Sequence, residues 1–145
     1  GPRQVPTSSY AGVISIFLAR AVAGEPLLLF GAGLATRDFV YVKDLVRAIG
    51  LALSAGPGQG EALNVGTGRT TSVRELATTA VAVTRSASLL VDAPARPGEA
   101  LHSRADVTRI ADVLGWRATT SLREGLDETA RWIMGATDTA LVDSA

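Results

Sequence analysis

The stretch from Leu27 to Asp44 limits the possible folds more than any other part of the chain. Four apolar residues, Leu27-Leu28-Leu29-Phe30, run into Gly31-Ala32-Gly33. A second apolar run, Phe39-Val40-Tyr41-Val42, follows Thr36-Arg37-Asp38. A short apolar run closed by glycine predicts a buried strand. A glycine loop behind a strand can hold a dinucleotide only with a third small residue three positions on and a helix behind it. Here the third position is Thr36, and residues 39–42 read as a second strand. No helix N-terminus is predicted there to face a pyrophosphate. The local expectation is therefore strand, glycine turn, strand.

The remaining elements follow from period and punctuation. Ser8 or Ser9 is placed to cap a helix ending near Ala23, with Val13, Ile14, Ile16, Phe17 and Leu18 on its apolar face and Gly24 as its stop. Asp44 is placed to cap a helix over residues 45–54. Residues 56–60 are a glycine-proline loop. Residues 62–65 and 89–91 read as strands. Ser72-Val73-Arg74-Glu75 matches a capping box and opens a helix to about Thr84. Residues 93–98 form an extended loop. Residues 107–114 are a short helix ended by Gly115, and residues 122–134 a longer one. Trp116 reads as a core anchor. Residues 136–145 are small and polar and read as a frayed tail, which leaves residues 1–135 as the folded portion. Strands alternating with helices give an α/β class. The strands are too short for a complete doubly wound sheet, so the expectation is a small mixed α/β unit.

Composition removes several function classes. The chain has 145 residues, 47% of them hydrophobic, and a formal net charge of zero. That balance gives no general attraction to nucleic acid or to an acidic membrane surface. The absence of cysteine excludes disulfides, thiolate catalysis and cysteine-ligated zinc. No apolar run reaches the length of a membrane span and no signal peptide is seen, so cytoplasm is the expected compartment. Gly1-Pro2-Arg3-Gln4 reads as the middle of a loop in a larger protein, and the apolar content predicts an exposed apolar patch.

Two arginines draw attention. Arg37-Asp38 is either an ordinary edge-strand ion pair or an anion site in which Arg37 forks onto a diphosphate and Asp38 orients it. In Arg96-Pro97-Gly98-Glu99 the backbone is stiffened by proline. It is either a solvated surface loop or a second anion site, with Glu99 able to accept from a ribose or sugar hydroxyl. Asn64-Val65-Gly66-Thr67-Gly68 runs toward a helix but lacks a phosphate-binding lysine. It reads as a turn in which Asn64 bonds backbone. His102, the single histidine, has no metal-ligand spacing and reads as satisfied or solvent-exposed.

Taken in order, Phe30-Gly31-x-Gly33, Thr36-Arg37-Asp38-Phe39-Val40-Tyr41-Val42-x-Asp44-Leu45, Leu63-Asn64-Val65-Gly66-Thr67-Gly68, Arg96-Pro97-Gly98-Glu99, Ala105-Asp106, Leu114-Gly115-Trp116 and Ser121-Leu122-x-Glu124-Gly125-Leu126 form a recognisable set. The set resembles the C-terminal, substrate-binding half of NAD-dependent nucleotide-sugar epimerases and dehydratases, extended short-chain dehydrogenases/reductases of the UDP-glucose 4-epimerase type. The resemblance implies a mixed α/β portion without the N-terminal Rossmann sheet. It implies that Arg37 and Arg96 contact the diphosphate of a UDP- or dTDP-hexose, that Glu99 contacts the ribose, and that the strand carrying Leu29 and Phe30 lies along the base. NAD and the Tyr-x-x-x-Lys pair belong to the other half of that family. Lys43 is the only lysine here, and the residue four positions before it is Phe39. No catalytic residue and no bound cofactor are therefore expected in this chain alone. Its partner would be the missing cofactor domain. The alternative is a non-catalytic nucleotide-sugar-binding module or a truncated remnant.

Overall fold

The computed structural model describes residues 1–2, 4, 12–55, 60 and 62–142, with side chains through residue 135. Ser8 and Ser9 lie outside the described residues. Helix α1 (Val13–Val22) begins after Gly12 and ends at Ala23, with Gly24 at a φ of 71°. Strand β1 (Leu27–Phe30) leads into a single turn over Gly31–Gly33, then β2 (Thr36–Arg37) and α2 (Val42–Ser54). Next come β3 (Thr71–Ser72), α3 (Val73–Thr84), β4 (Leu90–Ala93), α4 (Thr108–Leu114) and α5 (Leu122–Val142).

Two small sheets result. β1 pairs with β4 in parallel, Leu27 opposite Leu90 and Phe30 opposite Ala93. β2 pairs antiparallel with β3, Thr36 opposite Ser72 and Arg37 opposite Thr71. Helices α1, α3 and α5 pack on one another in pairs. Their shared core holds Phe17, Leu18, Leu27, Leu29, Leu76 and Leu126, all buried. A second cluster gathers Ala48, Ile110 and Trp116 beneath α2 and α4.

Several expectations shift. Residues 39–42 are not a strand. Phe39 packs on the main core and Val40 on the second cluster. Their alternation therefore records burial on two sides without a ladder, and α2 starts at Val42. Residues 62–65 likewise form no strand. Leu63 and Val65 pack against the second cluster, but no strand lies beside them among the described residues. The helix expected over residues 122–134 runs on to Val142.

Helix starts are fixed by side chains. Ser72 Oγ accepts the Glu75 N–H at 3.0 Å, as the capping box predicts. A second box opens α5: Ser121 Oγ accepts the Glu124 N–H at 3.2 Å, and Glu124 accepts the Ser121 N–H at 2.8 Å. Asp44 does not cap its own helix. It sits inside the first turn of α2, 3% exposed, and reaches across to the segment before α5. Its carboxylate accepts the N–H groups of Thr119 at 3.2 Å and Thr120 at 2.9 Å, the Thr119 hydroxyl at 3.1 Å, and Arg47 Nη2 at 2.7 Å. Burial alone would raise its pKa. The Thr120 amide and the Arg47 guanidinium outweigh burial and hold the carboxyl well below the usual range. Trp116, 1% exposed, donates its indole N–H to the Asp44 carbonyl at 3.1 Å and is the anchor the sequence suggests.

One face of α2 is left uncovered. Val46, Ile49 and Leu53 are 61%, 51% and 81% exposed and share a stripe at helical spacing. This is an exposed apolar patch of the kind the composition predicts.

Candidate functional site

The register of β1 against β4 builds the site. Because Ala93 lies opposite Phe30, the chain leaving β4 continues past the end of β1. There it lays the Arg96 guanidinium over the Phe30 ring, its Cζ 3.8 Å from the ring centroid. Such stacking uses the ring quadrupole to hold a cation and leaves the in-plane donors free for an acceptor. The segment is then drawn back to β2. Thr36 donates its N–H to the Leu101 carbonyl at 2.7 Å, and Ser103 donates to the Thr36 carbonyl at 3.1 Å. Thr36 Oγ1 and His102 Nδ1 stand 3.0 Å apart, so the histidine is a satisfied group of the scaffold. The intervening arch delivers Glu99 to Arg37: Nη2 lies 3.0 Å from Glu99 Oε1, while Nη1 donates to the Thr36 carbonyl at 2.8 Å.

A cavity of about 380 Å³ lies beneath this arch. That is a size ordinary for a small-molecule site. Val13, Ile16, Phe17 and Arg20 of α1 line one side, Leu28 and Phe30 of β1 another, and Arg37, Arg96 and Glu99 one end, with Ala35 and Val73 between. Three guanidinium groups against one carboxylate give the cavity lining an excess of positive charge.

Arg37, Arg96, Glu99 and Phe30, named from the sequence, meet in this one cavity. Leu29 does not. Strand side chains alternate between faces, and Leu29 is wholly buried in the core while Leu28, 37% exposed, faces the cavity. Asp38 does not orient Arg37. It points the other way and holds the Asn64–Gly68 turn: its carboxylate accepts the Thr67 N–H at 2.8 Å, the Thr67 hydroxyl at 2.6 Å and the Gly68 N–H at 2.9 Å. Glu99 is the acid that partners Arg37. Arg20, not among the residues named from the sequence, also lines the cavity; it stands at helical spacing from Val13, Ile16 and Phe17.

The turn itself is scaffold. A Cβ on Gly66 would stand 2.6 Å from Ala105 Cβ and 2.8 Å from Asp38 Oδ2, so only glycine lets the carboxylate approach. Asn64 Nδ2 donates to the Asp106 carbonyl at 3.3 Å, a bond to distant backbone and not to its own turn. Neither glycine loop has the strand-to-helix turn with free amides that a dinucleotide fingerprint requires. Gly31–Gly33 leads into β2, and the amides of Thr67 and Gly68 are already given to Asp38. Tyr41 is no proton acceptor near neutrality, because burial, helped by the Glu128 carboxylate, pushes its hydroxyl up to about 12. Lys43 is paired with Glu128.

Known proteins share this fold. A family model described as GDP-mannose 4,6 dehydratase matches residues 1–129. The chain is 41% identical over 133 residues to a UDP-glucose 4-epimerase of Mycolicibacterium smegmatis, a match covering 91% of this chain and 42% of that protein. Among solved structures it is similar to a UDP-glucose 4-epimerase of Thermotoga maritima, determined with UDP-glucose, at a TM-score of 0.88 and 39% identity over 94% of this chain and 43% of the other. It is also similar to a Thermus thermophilus UDP-glucose 4-epimerase determined with NAD, at a TM-score of 0.79 and 33% identity over 94% of this chain and 44% of the other. The chain thus spans less than half the length of the relatives it matches. On the strength of the family match and the shared mixed α/β fold, the chain belongs to the GDP-mannose 4,6-dehydratase family of nucleotide-sugar epimerases and dehydratases, within the extended short-chain dehydrogenases/reductases.

Proposed function

We propose that residues 1–135 bind a nucleotide-sugar, a UDP- or dTDP-hexose, as the substrate-binding portion of an NAD-dependent epimerase or dehydratase, and that the chain alone carries out no hydride transfer. The observation that carries this reading is the convergence of Arg37, Arg96 and Glu99 on one cavity walled by Leu28 and Phe30. Two guanidinium forks match the oxygens of a diphosphate, each charge-assisted contact being worth about 1.5–3 kcal/mol where water is partly excluded. The Glu99 carboxylate, once Arg37 turns to the diphosphate, can accept from a ribose hydroxyl. Leu28 and Phe30 give a flat apolar wall for the base. NAD in this reading is held outside these 145 residues. The described residues offer no tyrosine-lysine pair for proton transfer, with Tyr41 buried and Lys43 bound to Glu128.

Isothermal titration of the 145-residue chain with UDP and with dTDP tests the reading. Binding is expected, weakened about tenfold or more by Arg37→Ala and by Arg96→Ala. Arg37→Lys is also expected to weaken it, because the ammonium keeps the charge and loses the fork. Failure of the wild-type chain to bind either nucleotide, or turnover of a nucleotide-hexose by this chain with added NAD, would overturn it.

A further inference from the structure

The cavity is cationic at both ends. Arg96 stacks on Phe30, at the last residue of β1. Arg20 is tied to the opposite end, its Nε donating to the carbonyl of Pro26 at 2.8 Å, just before β1 begins. Four residue steps of extended chain, from Pro26 to Phe30, separate the two anchor points, a span of about 13 Å. Between them the wall is apolar, made by Ile16, Phe17, Leu28 and Phe30. Arg20 is half-buried, and among the described residues its Nη1 and Nη2 groups have no hydrogen-bond partner. Its other contact is with Glu25 at 3.5 Å, at side-chain exposures of 37% and 56% that leave the pair open to water. An ion pair of that kind holds a side chain weakly.

We infer that Arg20 reads the far edge of the nucleotide base, donating to a keto oxygen carried there, and so sets which base the cavity accepts. The inference rests on the nucleotide-sugar reading above. With the diphosphate at Arg37 and Arg96, a ribose and a base laid along Leu28 and Phe30 bring the base edge toward Arg20. A guanidinium has only donors. It therefore favours a base with an acceptor at that edge, such as uracil or thymine, over cytosine, whose exocyclic amine presents donors at the same place. Discrimination by well-placed donors at a base edge is commonly tenfold or more.

UDP and CDP separate these cases, because they differ at that ring position, keto oxygen against amine. Titration of the 145-residue chain with each is expected to show UDP bound about tenfold tighter than CDP, and Arg20→Leu to bring the ratio close to one. Arg20→Met keeps an unbranched stem against α1 and is expected to do the same, which covers a leucine variant that fails to fold. Inorganic pyrophosphate serves as the reference ligand. Equal loss of UDP, CDP and pyrophosphate in both variants marks a structural role and overturns the assignment. So does a wild-type chain that binds both nucleotides equally, or an unchanged ratio in variants that still bind UDP. A wild-type chain that binds neither nucleotide refutes the underlying reading, which is a different result from a failed ratio.

Discussion

Removing the Asp44 carboxylate should weaken the fold in a way that depends on pH. In Asp44→Ala the N–H groups of Thr119 and Thr120 lose the acceptors they hold at 3.2 and 2.9 Å. Each orphaned donor costs about 1–3 kcal/mol, and residues 119–120 lie near the surface, so the low end applies to both. Arg47 adds little, since it keeps the Arg117 carbonyl at 2.6 Å and its side chain is 43% exposed. The expected loss is about 2 kcal/mol, or roughly 6 °C in Tm for a chain of this size. The sign with pH follows from the depressed carboxyl. Its folded pKa lies below the ordinary value of 3.8, so its contribution is complete above 3.8 and is lost as pH falls below it. The gap between wild type and variant should therefore narrow by about 1 kcal/mol between pH 7 and pH 3. Urea denaturation at both pH values measures this. A gap below about 0.5 kcal/mol at pH 7, or one unchanged at pH 3, would refute the assignment of Asp44 as the tie between α2 and the start of α5.

Three further outcomes are expected. Gly66→Ala should lose about 1–3 kcal/mol by urea denaturation, because its Cβ would meet Ala105 Cβ at 2.6 Å and Asp38 Oδ2 at 2.8 Å; a neutral result would show that the turn yields. Glu99→Gln should bind inorganic pyrophosphate several-fold tighter by calorimetry, since it removes the carboxylate that competes for Arg37 at 3.0 Å; weaker binding would count against a shared anion site. The pair Val46→Lys and Leu53→Glu should reduce binding of a hydrophobic dye while leaving Tm within about 2 °C, because both residues stand on the uncovered face of α2. Unchanged dye binding would place the accessible apolar surface elsewhere.

Legibility in the sequence followed the range of the physics. Most local signals are legible: Ser72 with Glu75, Gly115 after α4 and the apolar block 27–30 give the elements they suggest, because caps and glycine stops depend on neighbours in the chain, whereas Asp44 is drawn from its expected cap to distant backbone. Ladders were not, because a strand requires a partner that period alone does not supply. Residues 39–42 and 62–65 have the composition of strands and bury their side chains, but pair with nothing among the described residues. For the site, Arg37, Arg96 and Glu99 stood out as residue types, and their meeting depended on the β1–β4 register and the return of the arch to Thr36. Leu29 stands one step of the strand alternation away from Leu28, which lines the cavity. Asp38 was read as the partner of its neighbour, where its true partners lie about 30 residues away at Thr67 and Gly68.

Arg37 and Asp38 are joined by one peptide bond and face opposite ways, the first into the cavity and the second onto the Asn64–Gly68 turn. A change of one residue in the length of the chain between Gly33 and Arg37 would exchange these directions. It would send a carboxylate into the cavity beside Arg96 and strip the turn of its acceptor in the same event. Damage to the cavity and damage to the fold are thus a single lesion at this point. Point substitutions can separate the cavity from the fold here, and insertions or deletions cannot.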